Sequence, residues 1–190
     1  MSRTDDARRT RGEHGFTLVE LLMAIVLSGI ILAPLAAGVL VGLRTTEETS
    51  NRLSGSNDAQ LLAAWLTPDL QSTGNQAGDV VVAPAANTEC SGVSNLLRLR
   101  WRETPGATTT TYVAAYAIVA GADGRWFLTR FFCVNGGAAT THVVGRNLAS
   151  STAATVATAG QKVTMTVTEA TKPTNPTPYT FTVAGNRRTP

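Results

Sequence analysis

Between Phe16 and Leu43 the chain carries one charged side chain, Glu20, and from Leu21 to Leu43 it carries none. A helix over these 28 residues would rise about 42 Å at 1.5 Å per residue. About 20 apolar residues are enough to cross a bilayer, so the segment can span a membrane. The residues before it hold Arg3, Arg8, Arg9 and Arg11 against Asp5, Asp6 and Glu13. A basic flank of this kind stays in the cytoplasm, which places everything after Leu43 outside.

Three kinds of segment begin this way. A secretory signal peptide has an apolar core of about 7–15 residues before a small-residue cleavage site. The present run is too long, although Ala33, Ala36 and Ala37 could imitate such a site. A plain signal anchor fits the length but has no need of Glu20. A carboxylate inside a membrane segment costs about 2.5–3.5 kcal/mol on insertion scales. Unless it reaches interfacial water, such a residue has a partner or a task.

The string Gly15-Phe16-Thr17-Leu18-Val19-Glu20-Leu21-Leu22-Met23-Ala24-Ile25 resembles the N-terminal motif of type IV prepilins and pseudopilins. The resemblance covers residues 12–43. It implies a leader, residues 1–15, removed after Gly15 by a membrane-embedded prepilin peptidase, and N-methylation of the new terminus, Phe16. It further implies that Glu20 meets the amino group of Phe16 on an adjacent pilin subunit as a filament grows. Electrostatics supports that role, because a carboxylate in low dielectric seeks a cation. Pro34 removes one helix hydrogen bond and is expected to kink the helix. Gly29, Gly38 and Gly42 are small enough for close helix contact, without a central GxxxG.

Residues 44–72 continue with helical signals and would form the outer half of the N-terminal helix. Leu53, Leu61, Leu62, Trp65, Leu66 and Leu70 make a loose stripe near the 3.6 period. Thr67-Pro68-Asp69 has the form of an N-cap followed by proline, so a kink or helix restart is expected at Pro68. Residues 73–190 read as strands. Leu97 to Arg102 alternates apolar and basic residues with period two. Tyr112–Val119 and Arg125–Cys133 are joined through Asp123-Gly124, a hairpin signal. Val163, Met165 and Val167 alternate with Lys162, Thr164, Thr166 and Thr168, and Tyr179, Phe181 and Val183 alternate with Thr180 and Thr182. Short strands are expected at Val80–Ala83 and His142–Asn147, and the three prolines of Thr171–Pro178 keep that link out of a strand. The expectation is an α+β chain: a long N-terminal helix packed on one antiparallel sheet with a threonine-rich outer face. That is also the pilin plan.

Several features are similar to one subgroup, the J-type minor pseudopilins of type II secretion and their pilus-tip counterparts. They are Trp65-Leu66-x-x-Asp69-Leu70, the Leu-Arg-Leu-Arg strand, the Tyr-rich strand and Trp126-Phe127-Leu128-Thr129-Arg130. The resemblance implies a subunit that caps or initiates a filament.

Cys90 and Cys133 are the only cysteines. In an oxidising compartment an even pair reads as a disulfide, against the alternative of two isolated buried thiols. Neither has a second ligand at metal-binding spacing, so no metal and no cofactor is expected. Arg98, Arg100 and Arg102 form a basic stripe that would suit phosphates. On a solvated strand face such a stripe reads as solubilising and edge-protecting, so nucleic acid is not an expected partner. His14 lies in the leader and His142 stands alone, and no Gly-x-Ser-x-Gly, HExxH or phosphate loop is present. Asp69, Asp79, Glu89, Asp123 and Glu169 form no evident dyad, so no enzyme is expected. Segments such as Thr108–Thr111 and Ser150–Thr155 read as flexible loops or polar strand faces.

The chain is 43% hydrophobic and only 15% charged, with a mean hydropathy of +0.04. Removal of the leader would leave 12 basic and 10 acidic side chains of the original 16 and 13. The expected protein is a minor pilin or pseudopilin held in the cytoplasmic membrane, N-terminus in. From there it would be assembled with other subunits into a periplasmic or extracellular filament. The alternative is an unprocessed, signal-anchored β-domain that binds a surface partner.

Overall fold

The computed structural model describes residues 17–82, 88–171 and 178–188. The chain divides into two compact units, residues 1–45 and 46–190. Secondary structure is helical from Leu18 to Ser72 (α1), so this element belongs in part to each.

In the first unit, Thr17 starts the helix. Its Oγ1 accepts the Glu20 N–H at 3.2 Å, satisfying one of the donors that a helix N-terminus leaves unpaired. From Leu18 to Leu43 every side chain is exposed, and the stretch is long and apolar enough to cross a membrane. Helical geometry continues through Pro34, although its missing N–H leaves the carbonyl of Ile30 without the usual bond.

The second unit holds the remainder of α1 and eight strands among the described residues. Strands β1 (Val80–Val82), β2 (Leu97–Glu103), β3 (Thr110–Ala120), β4 (Trp126–Val134) and β5 (Thr140–Leu148) form an antiparallel sheet in chain order. Strands β6 (Ala154–Ala159), β7 (Lys162–Thr168) and β8 (Thr180–Asn186) form a second antiparallel sheet. The hairpin expected at Asp123-Gly124 joins β3 to β4, with Gly124 at φ 76°, a conformation that favours glycine.

Leu62, Leu66 and Leu70 recur every four residues and are fully buried. They share one core with Leu97, Leu99, Tyr116, Leu128 and Val144 of the first sheet and with Val163, Met165, Val167, Phe181 and Val183 of the second. Strand β8 comes close to α1: a Cβ at Gly185 would lie 2.7 Å from Leu70 Cδ1 and 3.8 Å from the Thr67 Cα. A side chain at Gly55 would likewise overlap the ring of Tyr179.

Two expectations change. The single sheet is two sheets, linked by the isolated bridge Leu148↔Glu169. Period-two alternation reveals a strand and its buried face, but not which strand it pairs with. The helix does not restart at Pro68. This residue lies in the final turns, where its missing N–H costs one bond, and buried Leu66 and Leu70 hold the chain helical on either side. Residues 154–155 open β6, in keeping with the strand-face alternative for Ser150–Thr155. The link 172–177 lies outside the described residues.

Candidate functional site

The N-terminal segment is built from Thr17 onward. Glu20 is exposed and sits three residues after the cap. Thr-x-x-Glu is the capping-box pattern, in which the acid also suits the positive end of the helix dipole. The position of Glu20 therefore suits a local helix-capping role as well as an assembly contact. Gly15, Phe16 and the whole 1–15 leader lie outside the described residues.

In the second unit the most constrained chemistry is a buried ion pair. Asp69, on α1, accepts bonds from Arg130 Nε and Nη2, both at 2.7 Å, and from the Tyr116 hydroxyl at 2.7 Å. All three residues are buried. The guanidinium of Arg130 lies 4.6 Å from the Trp65 ring centroid and 4.9 Å from that of Phe132, and Trp65 stacks on His142 at 4.6 Å. Burial, with Asp69 beside it, holds the Tyr116 phenol well above its ordinary value, so it remains a neutral donor. The arrangement ties α1 to β3 and β4. Asp69 reads in the sequence as one of several scattered acids, but the parity of the strand carries the signal. Leu128, Arg130 and Phe132 share a face, and an arginine on an apolar face requires an acid opposite it.

Asp58 is the second buried acid on the helix, 1% exposed. Its Oδ2 accepts the Arg146 N–H at 2.6 Å, while Oδ1 has no protein partner. Burial raises its pKa, and the Arg146 contact only partly offsets the shift.

The arginine stripe is not a free basic face. Arg98 is 4% exposed and pairs with Glu89, which Arg100 also reaches at 2.6 Å. Arg102 pairs with Asp79 at 3.1 Å. Strand β1 covers β2 over Leu97–Leu99, so Arg98 guards no free edge. Glu89 is pushed up by burial, but the bonds from Arg100 and Arg98 outweigh this and lower its pKa.

Cys90 and Cys133 form a disulfide with a Cα–Cα distance of 5.7 Å. It fastens the loop before β2 to β4. Among the described residues, no group of three His, Cys, Asp or Glu is placed to hold a metal ion.

Residues 10–36 match the family model described as the prokaryotic N-terminal methylation motif. The match covers the junction at Gly15-Phe16 and the first part of the apolar helix, and it supports a type IV pilin-like protein. With the exposed apolar helix it is consistent with membrane anchoring and a structural role. No curated protein and no solved structure matches the chain significantly.

Proposed function

We propose that this chain is a minor pilin or pseudopilin subunit. Prepilin peptidase would cleave after Gly15, and Phe16 would become the N-methylated terminus. Residues 16–43 would hold the subunit in the cytoplasmic membrane, N-terminus in, and then pack among other subunits in a type IV pilus or type II secretion pseudopilus. Residues 44–72 would carry the helix out of the membrane into the β domain, 73–190, and Pro34 would let it bend. The charge of Glu20 would guide a new subunit to the Phe16 amino group of its neighbour. The J-type resemblance favours a place at the filament end.

The observation that carries this reading is the methylation motif over residues 10–36, which overlaps an exposed apolar helix running from Leu18 to Leu43. A signal anchor needs neither the Gly15-Phe16 junction nor Glu20. Mass spectrometry of the mature N-terminus tests the proposal. N-methyl-Phe16 is the expected result, and a chain that still begins at Met1 or Ser2 overturns it in favour of the unprocessed anchor.

A further inference from the structure

Glu89 and Cys90 are adjacent, and each fastens the loop of residues 88–95 to the first sheet. We propose that the Cys90–Cys133 bond is a redox latch: its reduction by a dithiol releases this loop and opens an oxyanion site on Arg98 and Arg100, for a ligand of the phosphate class. The filament reading gives the loop no role, so the inference goes beyond it.

Charge on the face of β2 opposite Leu97 and Leu99 defines the site. Arg98 and Arg100 share that face, with their Cα atoms about 7 Å apart. Both donate to one oxygen, Glu89 Oε2, Arg100 from Nη2 at 2.6 Å. Arg102, next along the face, is paired separately with Asp79. Glu89 is the one acid in 88–95, so two guanidiniums meet a single carboxylate from the loop. Arg98 Nη2 also donates to the Gly78 carbonyl at 2.5 Å. The Nε atoms of Arg98 and Arg100 are buried and have no acceptor among the described residues. The pair thus keeps one positive charge and two N–H donors beyond what the loop satisfies. Phosphate oxygens suit that surplus, because guanidinium groups bind them through paired, charge-assisted bonds.

The disulfide holds Glu89 in this place. Cys90 is half-buried and has φ 73°, a conformation that residues with a side chain rarely adopt. The link to Cys133 on β4 keeps it there. Hydrogen bonds inside the loop are local: Gly92 N to Thr88 O at 2.9 Å, Asn95 Nδ2 to Glu89 O at 3.1 Å, and Ser91 Oγ to Asn95 Oδ1 at 2.6 Å. They shape the loop without tying it to the sheet. Reduction takes two exchanges. One thiolate of the dithiol attacks the Cys90 sulfur, and Cys133 leaves and is protonated. The second thiol then closes on the first and releases Cys90 as a thiol. One protein S–S bond is lost, two S–H bonds form, and the dithiol ends as a disulfide. Cys90 can then leave its left-handed conformation, and Glu89 moves with it. Two guanidiniums stripped of a counter-charge in a partly buried site are costly, so an oxyanion from solution takes the place of Glu89.

The test is calorimetric titration of the full chain in non-ionic detergent with tripolyphosphate, before and after reduction by dithiothreitol. The reduced protein is expected to bind at least roughly tenfold more tightly than the oxidised one. On reduction, amide hydrogen exchange should rise over 88–95 while β3 and β4 stay protected. Glu89→Ala keeps the disulfide and vacates the site, so it should gain a similar affinity without reduction. Arg100→Gln should return the reduced protein to the oxidised level. Arg125→Gln is the control, since Arg125 is exposed and paired with Asp123 in the β3–β4 turn. Equal affinity of the oxidised and reduced protein overturns the proposal, and so does a failure of Glu89→Ala to bind at millimolar tripolyphosphate. Exchange that rises throughout β3 and β4 on reduction also overturns it, because the bond would then hold the whole domain and not a loop. An equal loss from Arg125→Gln, marking diffuse attraction to a basic protein, does the same. The mass of the N-terminus bears on none of these outcomes, so the two readings fail separately.

Discussion

Asp69 is the residue on which most depends, because its carboxylate accepts hydrogen bonds from both the buried Arg130 guanidinium and the Tyr116 hydroxyl. Asp69→Ala would leave Arg130 buried without a counter-charge, a loss of about 3–5 kcal/mol. Tyr116→Phe removes one donor to a charged acceptor and is expected to cost about 1.5–3 kcal/mol. Denaturant unfolding of the full chain in detergent measures both, and the double mutant should fall short of their sum because the residues share one network. Glu89 sets a pH dependence. Its folded pKa is depressed below 4.5, so its contribution is present above the unfolded value and is lost as pH falls through the folded one. Glu89→Gln should therefore unfold at lower denaturant than the parent at pH 7, and the difference should shrink toward pH 3. A gap that stays constant with pH would show that the Arg98 and Arg100 pairs do not stabilise this loop. These partners could not be read from the chain alone. Arg98 and Glu89 are nine positions apart, and nothing in period-two alternation says that the loop before β2 folds back over it.

At the level of elements, much of the architecture follows from pattern. The β3–β4 hairpin is legible because Asp123-Gly124 supplies the turn and β-branched and aromatic residues flank it. The buried stripe Leu62, Leu66, Leu70 is legible because its spacing keeps one helix face apolar. The division into two sheets is not. It depends on β7 pairing with β6 and β8 instead of continuing from β5, a choice between partners of equal local merit. The disulfide lies between these cases, since the compartment predicts a bond and only the fold brings Cys90 to Cys133. It closes a loop across a separation of 43 residues, and the chain-entropy relation assigns such a closure about 4 kcal/mol. The paired change Cys90→Ser, Cys133→Ser is expected to lower unfolding stability by up to that amount. Non-reducing mass analysis should show two free thiols only after reduction. Asp58 tests how the helix is seated. Asp58→Ala leaves the Arg146 N–H without its partner and should cost about 1–3 kcal/mol. Asp58→Asn keeps an acceptor and discards a charge that burial opposes, so it should be nearly neutral. Because the folded pKa of Asp58 is raised above 3.8, its ionisation weakens the fold as pH rises. The advantage of Asn over Asp should accordingly be larger at pH 7 than at pH 3.

For the molecule as a whole, the open question is whether the Glu20 charge serves the helix or the filament. Both roles follow from the same position. Glu20 stands three residues after Thr17, whose Oγ1 accepts its N–H at 3.2 Å, and an acid there steadies a helix N-terminus. Yet a carboxylate at the head of an apolar run carries an insertion cost of about 2.5–3.5 kcal/mol, and capping does not require the charge. Glutamine serves the capping box as well as glutamate. Glu20→Gln therefore separates the roles, where Glu20→Ala removes both. If the charge acts between subunits, Glu20→Gln should be processed at Gly15-Phe16 like the parent and retained in the membrane. It should nevertheless be largely missing from sheared filaments, as Glu20→Ala should be. Thr17→Ala, which removes the cap and keeps the charge, should assemble at near-parental levels. The measurement is the amount of each variant in the filament fraction against the membrane fraction, with the N-terminal mass of each. Parental incorporation of Glu20→Gln would assign Glu20 to the helix cap and leave filament growth to the apolar face of residues 16–43.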